Sequence, residues 1–127
     1  MNSIEEVTKR YEALLAEKGD STLETLECKI ELAAAYAYTS NGSKAFELIN
    51  EVYEKYTELY GEEHDYTMSV YGMYGNMAAA IGMKDTALTA FEKVSGYFNT
   101  RYGQEDVRSI MAMKQYSDYL KYYSELN

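Results

Sequence analysis

The sequence predicts an all-α protein of six helices, built as antiparallel helix pairs that repeat and stack. Three observations predict it. Gly19, Gly61 and Gly103 each close a helical run and stand 42 residues apart, a period in the range of stacked-repeat architectures. The residues that follow agree at that shift: Leu26, Met68 and Ile110; Thr25, Thr67 and Ser109; Leu32, Tyr74 and Tyr116; Ala45 and Ala87; Ile49 and Phe91; Val52 and Val94; Tyr60 and Tyr102. Apolar residues recur at three- and four-residue steps throughout, strand signals are missing, and the loops are short enough to make successive helices antiparallel neighbours. The 127 residues read as one domain: a half-repeat over 1–18, repeats over 19–60 and 61–102, and a half-repeat over 103–127.

The first helix is predicted over 4–18. Ser3 and Glu6 form a capping box, Ile4, Val7, Tyr11, Leu14 and Leu15 make one stripe, and Gly19 supplies the left-handed stop. The second is predicted over 22–39, behind a capping box of Ser21 and Glu24. Leu23, Leu26, Ile30, Ala33, Ala34 and Ala37 share a face whose small residues admit a close neighbour. The turn cluster Ser40-Asn41-Gly42-Ser43 leads into the third helix, over 43–60. Phe46, Ile49, Val52, Tyr53, Tyr56 and Tyr60 recur at helical spacing on one face. Glu47, Glu51, Glu54 and Glu58 lie opposite, where Glu51–Lys55 is the attractive i,i+4 pair.

The fourth helix, over 65–81, carries Met68, Tyr71, Tyr74, Ala78 and Ala79. Gly72 and Gly75 inside it each cost about 1 kcal/mol against alanine, so both are expected at close contacts. Gly82 marks the next turn. The fifth, over 83–102, points Ala87, Leu88, Phe91, Val94 and Phe98 inward, with Gly96 weakening its middle. The sixth, over 107–124, has Asp106 as its N-cap and carries Ile110, Met113, Tyr116, Leu120 and Tyr123. Met113, Tyr116 and Leu120 are expected to face the place that a repeat's second helix fills in the two complete units.

A net charge of −9 argues against nucleic acid and anionic lipid as partners. Cys28 is the one cysteine, so no internal disulfide forms and a cytoplasmic location is expected. Met1-Asn2-Ser3 carries no basic-then-apolar leader, and no apolar run is long enough to span a membrane. Fifteen tyrosines without a tryptophan suit half-buried groove walls, because the ring is apolar and its tip polar.

No constellation points to catalysis. Glu63-His64-Asp65 is a poor transition-metal set, since no second histidine or cysteine stands nearby, and His64 reads as a helix-start residue. Cys28 sits in an apolar helix without a histidine partner and reads as a buried thiol. The glutamates lie on polar faces, whereas an acid–base pair needs one carboxylate in an apolar pocket. Gly72-Met73-Tyr74-Gly75 lies within a helix, so it is no phosphate loop. The stripe Tyr116, Tyr119, Tyr122 and Tyr123 reads as packing. No cofactor, metal or catalytic residue is expected, and the chain is read as not an enzyme.

In the central unit, Gly75, Gly82, Ala87, Phe91 and Val94 follow the order small residue, turn glycine, alanine, aromatic, small apolar. Ala33, Ala45, Ile49 and Val52 follow the same order one unit earlier. That order resembles the tetratricopeptide repeat, and it marks these residues as core. The common repeat has about 34 residues, so this resembles the longer kind found in kinesin light chains and many bacterial proteins. The Leu-Gly-x-x-His-Pro-like link of that kind reads here Leu59-Tyr60-Gly61-Glu62-Glu63-His64-Asp65, without the proline.

The resemblance implies a right-handed superhelix whose first helices line a concave, protein-binding groove. Its positions would be Glu27, Ile30, Ala34 and Tyr38, then Ser69, Gly72, Asn76 and Ala80, then Met111, Lys114, Asp118 and Tyr122. Some relatives grip a C-terminal carboxylate with lysine and asparagine at places that hold Ile30 and Ala34 here, so that clamp is not expected. The leading expectation is a non-catalytic module binding a protein, as a peptide or helix, in this groove. The alternatives are a self-association unit acting through the C-terminal helix or a piece of a longer array, and a small acidic chaperone of the secretion type.

Overall fold

The computed structural model describes residues 3–126; Met1, Asn2 and Asn127, which the two half-repeats include, lie outside the described residues. Six α-helices follow in order: α1 (Ile4–Lys18), α2 (Leu23–Tyr38), α3 (Gly42–Tyr60), α4 (Asp65–Ala80), α5 (Lys84–Tyr102) and α6 (Val107–Glu125). No strand occurs among the described residues. The chain divides into two compact units, Met1–Gly61 with α1–α3 and Glu62–Asn127 with α4–α6. In the first, α2 packs against α1 and α3; in the second, α5 packs against α4 and α6.

The repeating stop signal is physical. Gly19, Gly61 and Gly103 have φ of 82°, 89° and 88° and ψ close to 180°, a region essentially closed to residues with a Cβ. Each donates its N–H to the carbonyl four residues back, at 2.9 Å. The expected turn cluster lies between α2 and α3. Ser40, not Gly42, takes the left-handed conformation, with φ 64°; Gly82 holds that place one repeat later, and Gly42 opens α3.

Every helix start except that of α5 is capped by a side-chain acceptor. Ser3 accepts from the Glu6 N–H and Asp106 from the Arg108 N–H, as the sequence led one to expect. The expected box of Ser21 and Glu24 is displaced by one residue. Thr22 Oγ1 accepts from the Thr25 N–H, while Ser21 donates to Asp20, because Thr22 is the last residue in extended conformation.

All eight repeat-core residues are buried: Ala33, Ala45, Ile49 and Val52 in the first unit, and Gly75, Ala87, Phe91 and Val94 in the second. Gly75 is required by contact. A Cβ there would come 2.6 Å from the Phe91 ring, which is itself fully buried and stacked on Tyr119. Gly72 differs from expectation, since its Cβ would meet only ordinary contacts, the nearest being Gln115 at 3.8 Å. Ala37 is exposed and Leu88 half-buried, each at the edge of its expected face.

Two further expectations change in three dimensions. Glu51 reaches across to Lys29 on α2 at 2.7 Å, and Lys55 lies near Asp20 and Glu58, so the pair Glu51–Lys55 does not form. Tyr116 turns toward α5, where its hydroxyl donates to Glu92 at 3.3 Å. It therefore leaves the outward face of α6, while Met113 and Leu120 stay exposed on it.

Candidate functional site

An open cleft of about 570 Å³ lies in the second unit between α4 and α6. Ser69, Gly72 and Asn76 line it from α4, and Met111, Lys114 and Asp118 from α6, over a floor that includes Val94 and Phe98. A second space of about 470 Å³ shares Asp118 and Tyr119 with it and adds Ala80 and Tyr122. The structure thus brings together all eight groove candidates of this unit. The spacing explains this, because steps of three and four residues put Ser69, Gly72, Asn76 and Ala80 on one helix face, and likewise Met111, Lys114, Asp118 and Tyr122. In the first unit, Glu27, Ile30, Ala34 and Tyr38 occupy the equivalent face of α2, with Tyr38 77% exposed.

The cleft is polar at its rim and apolar within. Lys114 Nζ lies 2.8 Å from Asp118, so its charge is already balanced. Asn76, Ser69 and Gln115 offer neutral donors and acceptors, while Met73 and Met111 add adaptable apolar surface. Gly72, which no close contact requires, is buried and lines the cleft without a side chain.

Sequence reasoning missed a second hollow, of about 700 Å³, along the outer side of α5. The signal was present in Gly96, whose absent side chain has nothing within 4 Å. Its charged rim is engaged internally. Lys93 lies 3.7 Å from Glu62 and over the Tyr71 ring, Glu92 takes the Tyr116 hydroxyl, and Arg101 lies 3.6 Å from Asp65. The cleft between α4 and α6 is the better candidate, because its neutral polar groups have hydrogen-bonding capacity to offer.

The group nearest to a chemical constellation is structural. Asp65, first residue of α4, accepts from the Tyr97 hydroxyl at 2.7 Å and from the Tyr102 hydroxyl, with Arg101 and Arg108 each 3.6 Å away. These hydroxyls, Tyr102 foremost, and then the two arginines hold its carboxyl below the usual carboxylate range. Burial, and then Asp65 itself, push Tyr97 up to about 12. The His64 ring accepts from the Tyr66 N–H and caps α4. No group of three or more histidine, cysteine or acidic residues suited to a metal occurs among the described residues. Cys28 is 3% exposed, and burial raises its pKa, which disfavours the thiolate.

The tetratricopeptide repeat family matches residues 21–97, more than half of the chain. The chain belongs to that family, and its fold is the all-α helix-pair solenoid. It is similar to a crystal structure of Podosopora anserina described as a kinesin light chain with nearly identical TPR-like repeats. The TM-score is 0.83 at 18% identity, over 91% of this chain and 55% of that one. The chain thus spans little more than half the length of that relative. No curated protein matches it by sequence. Membership makes it a protein-interaction module in general terms, on a fold that is generally a non-catalytic scaffold. No helix among the described residues is long and apolar enough to cross a membrane.

Proposed function

We propose that the cleft between α4 and α6 binds an extended peptide segment of a partner protein. The observation that carries this reading is the convergence of neutral hydrogen-bonding groups on an apolar floor. Asn76 and Gln115 can each bond both an N–H and a C=O of a peptide backbone. Met73, Met111 and the floor at Phe98 take an apolar side chain of the ligand. The Lys114–Asp118 pair flanks the cleft without leaving an uncompensated charge. The face of α2 that carries Ile30 and Tyr38 is the corresponding surface of the first unit.

The test is a screen of a peptide library for binders, followed by Asn76→Ala and Met111→Glu, with Thr100→Ala on the outer side of α5 as the control. Both cleft variants should weaken a selected peptide at least about tenfold, about 1.4 kcal/mol. Binding that survives both and fails at Thr100 would place the site on the outer face instead.

A further inference from the structure

The two adjoining spaces between α4 and α6 differ in chemistry. The larger has an apolar floor, with Met73 and Met111 near Phe98. The smaller is lined by Ala79, Ala80, Asp118, Tyr119 and Tyr122. Among the described residues, Asp118 is the one charged side chain on its wall, since Lys114 lines the larger space only. Tyr119 is held by stacking on Phe91, with ring centres 4.8 Å apart. Tyr122, 53% exposed, stands across it with the ring planes at 84°. Two tyrosine rings and a carboxylate thus meet at one space, beside two alanines that leave it room.

Elsewhere in this chain the same two groups hold a cation. Lys29 Nζ lies 5.8 Å from the Tyr11 ring centre and 2.7 Å from Glu51. Lys93 Nζ lies 5.8 Å from the Tyr71 ring centre and 3.7 Å from Glu62. The Arg108 guanidinium lies 3.5 Å from the Tyr102 ring centre and 2.9 Å from Asp106. A ring face attracts a cation through its quadrupole, and the carboxylate adds its charge. Tyr119 and Tyr122 have no cation over them among the described residues. Lys114 engages only Oδ2 of Asp118, in an exposed pair along one helix that exchanges at little cost. The opening does not depend on a following helix. Tyr38 and Ala80 share the register of Tyr122, and Asn76 shares that of Asp118. All three are exposed although α3 lies on α2 and α5 on α4.

We propose that the peptide bound in this cleft is basic, and that the smaller space takes a lysine or arginine side chain of it. This rests on the peptide-binding reading of the cleft and adds the ligand's charge. The aliphatic stem lies along Ala79 and Ala80, and the cationic head meets Tyr122 and Oδ1 of Asp118. An apolar neighbour in the peptide fills the larger space at Met111 and Phe98. The net charge of −9 draws such a segment in over distance.

The probes are short peptides selected on the whole chain from a random phage-displayed library, then labelled and titrated by fluorescence anisotropy. Lysine or arginine should be enriched among them. Glutamine in place of the basic residue should weaken binding at least about fivefold, as should Asp118→Asn or Tyr122→Leu in the chain. The glutamine exchange should have little further effect on the Asp118→Asn chain, because both changes remove one contact. Asp118→Lys should turn the selection toward acidic peptides. Asp118 is exposed, so its variants should keep the wild-type Tm. Selected peptides that lose affinity with Asn76→Ala and Met111→Ala, yet bind equally after Asp118→Asn and after the glutamine exchange, would overturn this proposal and leave the cleft reading standing. Peptides indifferent to every one of these changes in the chain would overturn both.

Discussion

α4 and α6 are the same helix of the repeat, 42 residues apart, and they differ in what lies over them. The seat on α4, the face that receives the second helix of the pair, is covered by α5, which buries Met68 and Ala78 and leaves Gly75 no room for a side chain. The seat on α6 has the same register and is open. α4 also has an anchor that α6 lacks. Asp65 ties its first turn to Tyr97 and Tyr102, whereas the equivalent residue of α6 is Val107, which is exposed. The difference teaches that a repeat motif specifies a contact surface, while its energetic weight depends on whether the neighbouring helix is there. Identical substitutions should therefore cost very different amounts on the two helices.

The largest contrast is expected from a charge in the seat. Met68→Glu buries an unpaired carboxylate and should cost more than about 3 kcal/mol, whereas Ile110→Glu should stay within about 0.5 kcal/mol. Urea melts of both variants check this, and equal losses would show that the two seats are equally covered. Next comes the close contact at Gly75. Gly75→Leu overpacks against Phe91 and should cost about 1–3 kcal/mol, and Ser117→Leu at the same register should be neutral or slightly stabilising. An unchanged melt for Gly75→Leu would contradict the close contact.

The anchor follows. Asp65→Asn keeps the shape and removes the charge from two hydroxyl bonds, which should cost about 1–2 kcal/mol at neutral pH. The Asp65 carboxyl is depressed in the folded state. Its stabilisation is therefore complete above the ordinary carboxylate value of about 4 and fades as pH falls through the lower folded value. The gap between wild type and Asp65→Asn should narrow below that point, and a gap that stays constant down to pH 2 would count against the assignment. The smallest effect concerns Gly72. With only ordinary contacts to meet, Gly72→Ala should stabilise α4 by up to about 1 kcal/mol. A lower Tm would mean the helix needs glycine there after all.

Much of this molecule was legible in the chain itself. Helix positions follow from three- and four-residue periodicity, and the stops at Gly19, Gly61 and Gly103 from a backbone region open only to glycine. The core register follows from one residue type recurring at one place, as at Ala45 and Ala87 or Ile49 and Phe91. All of these are recorded by near neighbours or by the period, so they need no tertiary knowledge. The eight cleft residues of the second unit were legible for the same reason, as two helix faces. Their meeting followed only from the resemblance and not from the spacing, because it depends on how α5 spaces α4 from α6, and it extends over two adjoining spaces.

Tertiary structure alone decided the choice among partners of similar chemistry. Glu51 had Lys55 one turn away and took Lys29 on another helix. Asp65 found its hydroxyls 32 and 37 residues along the chain. Tyr116 turned to Glu92 and away from the outward face of α6. Of two glycines in one helix, only Gly75 had a ring against it. Periodicity tells which face of a helix is apolar, but what meets that face is set by the packing of helices far apart in sequence.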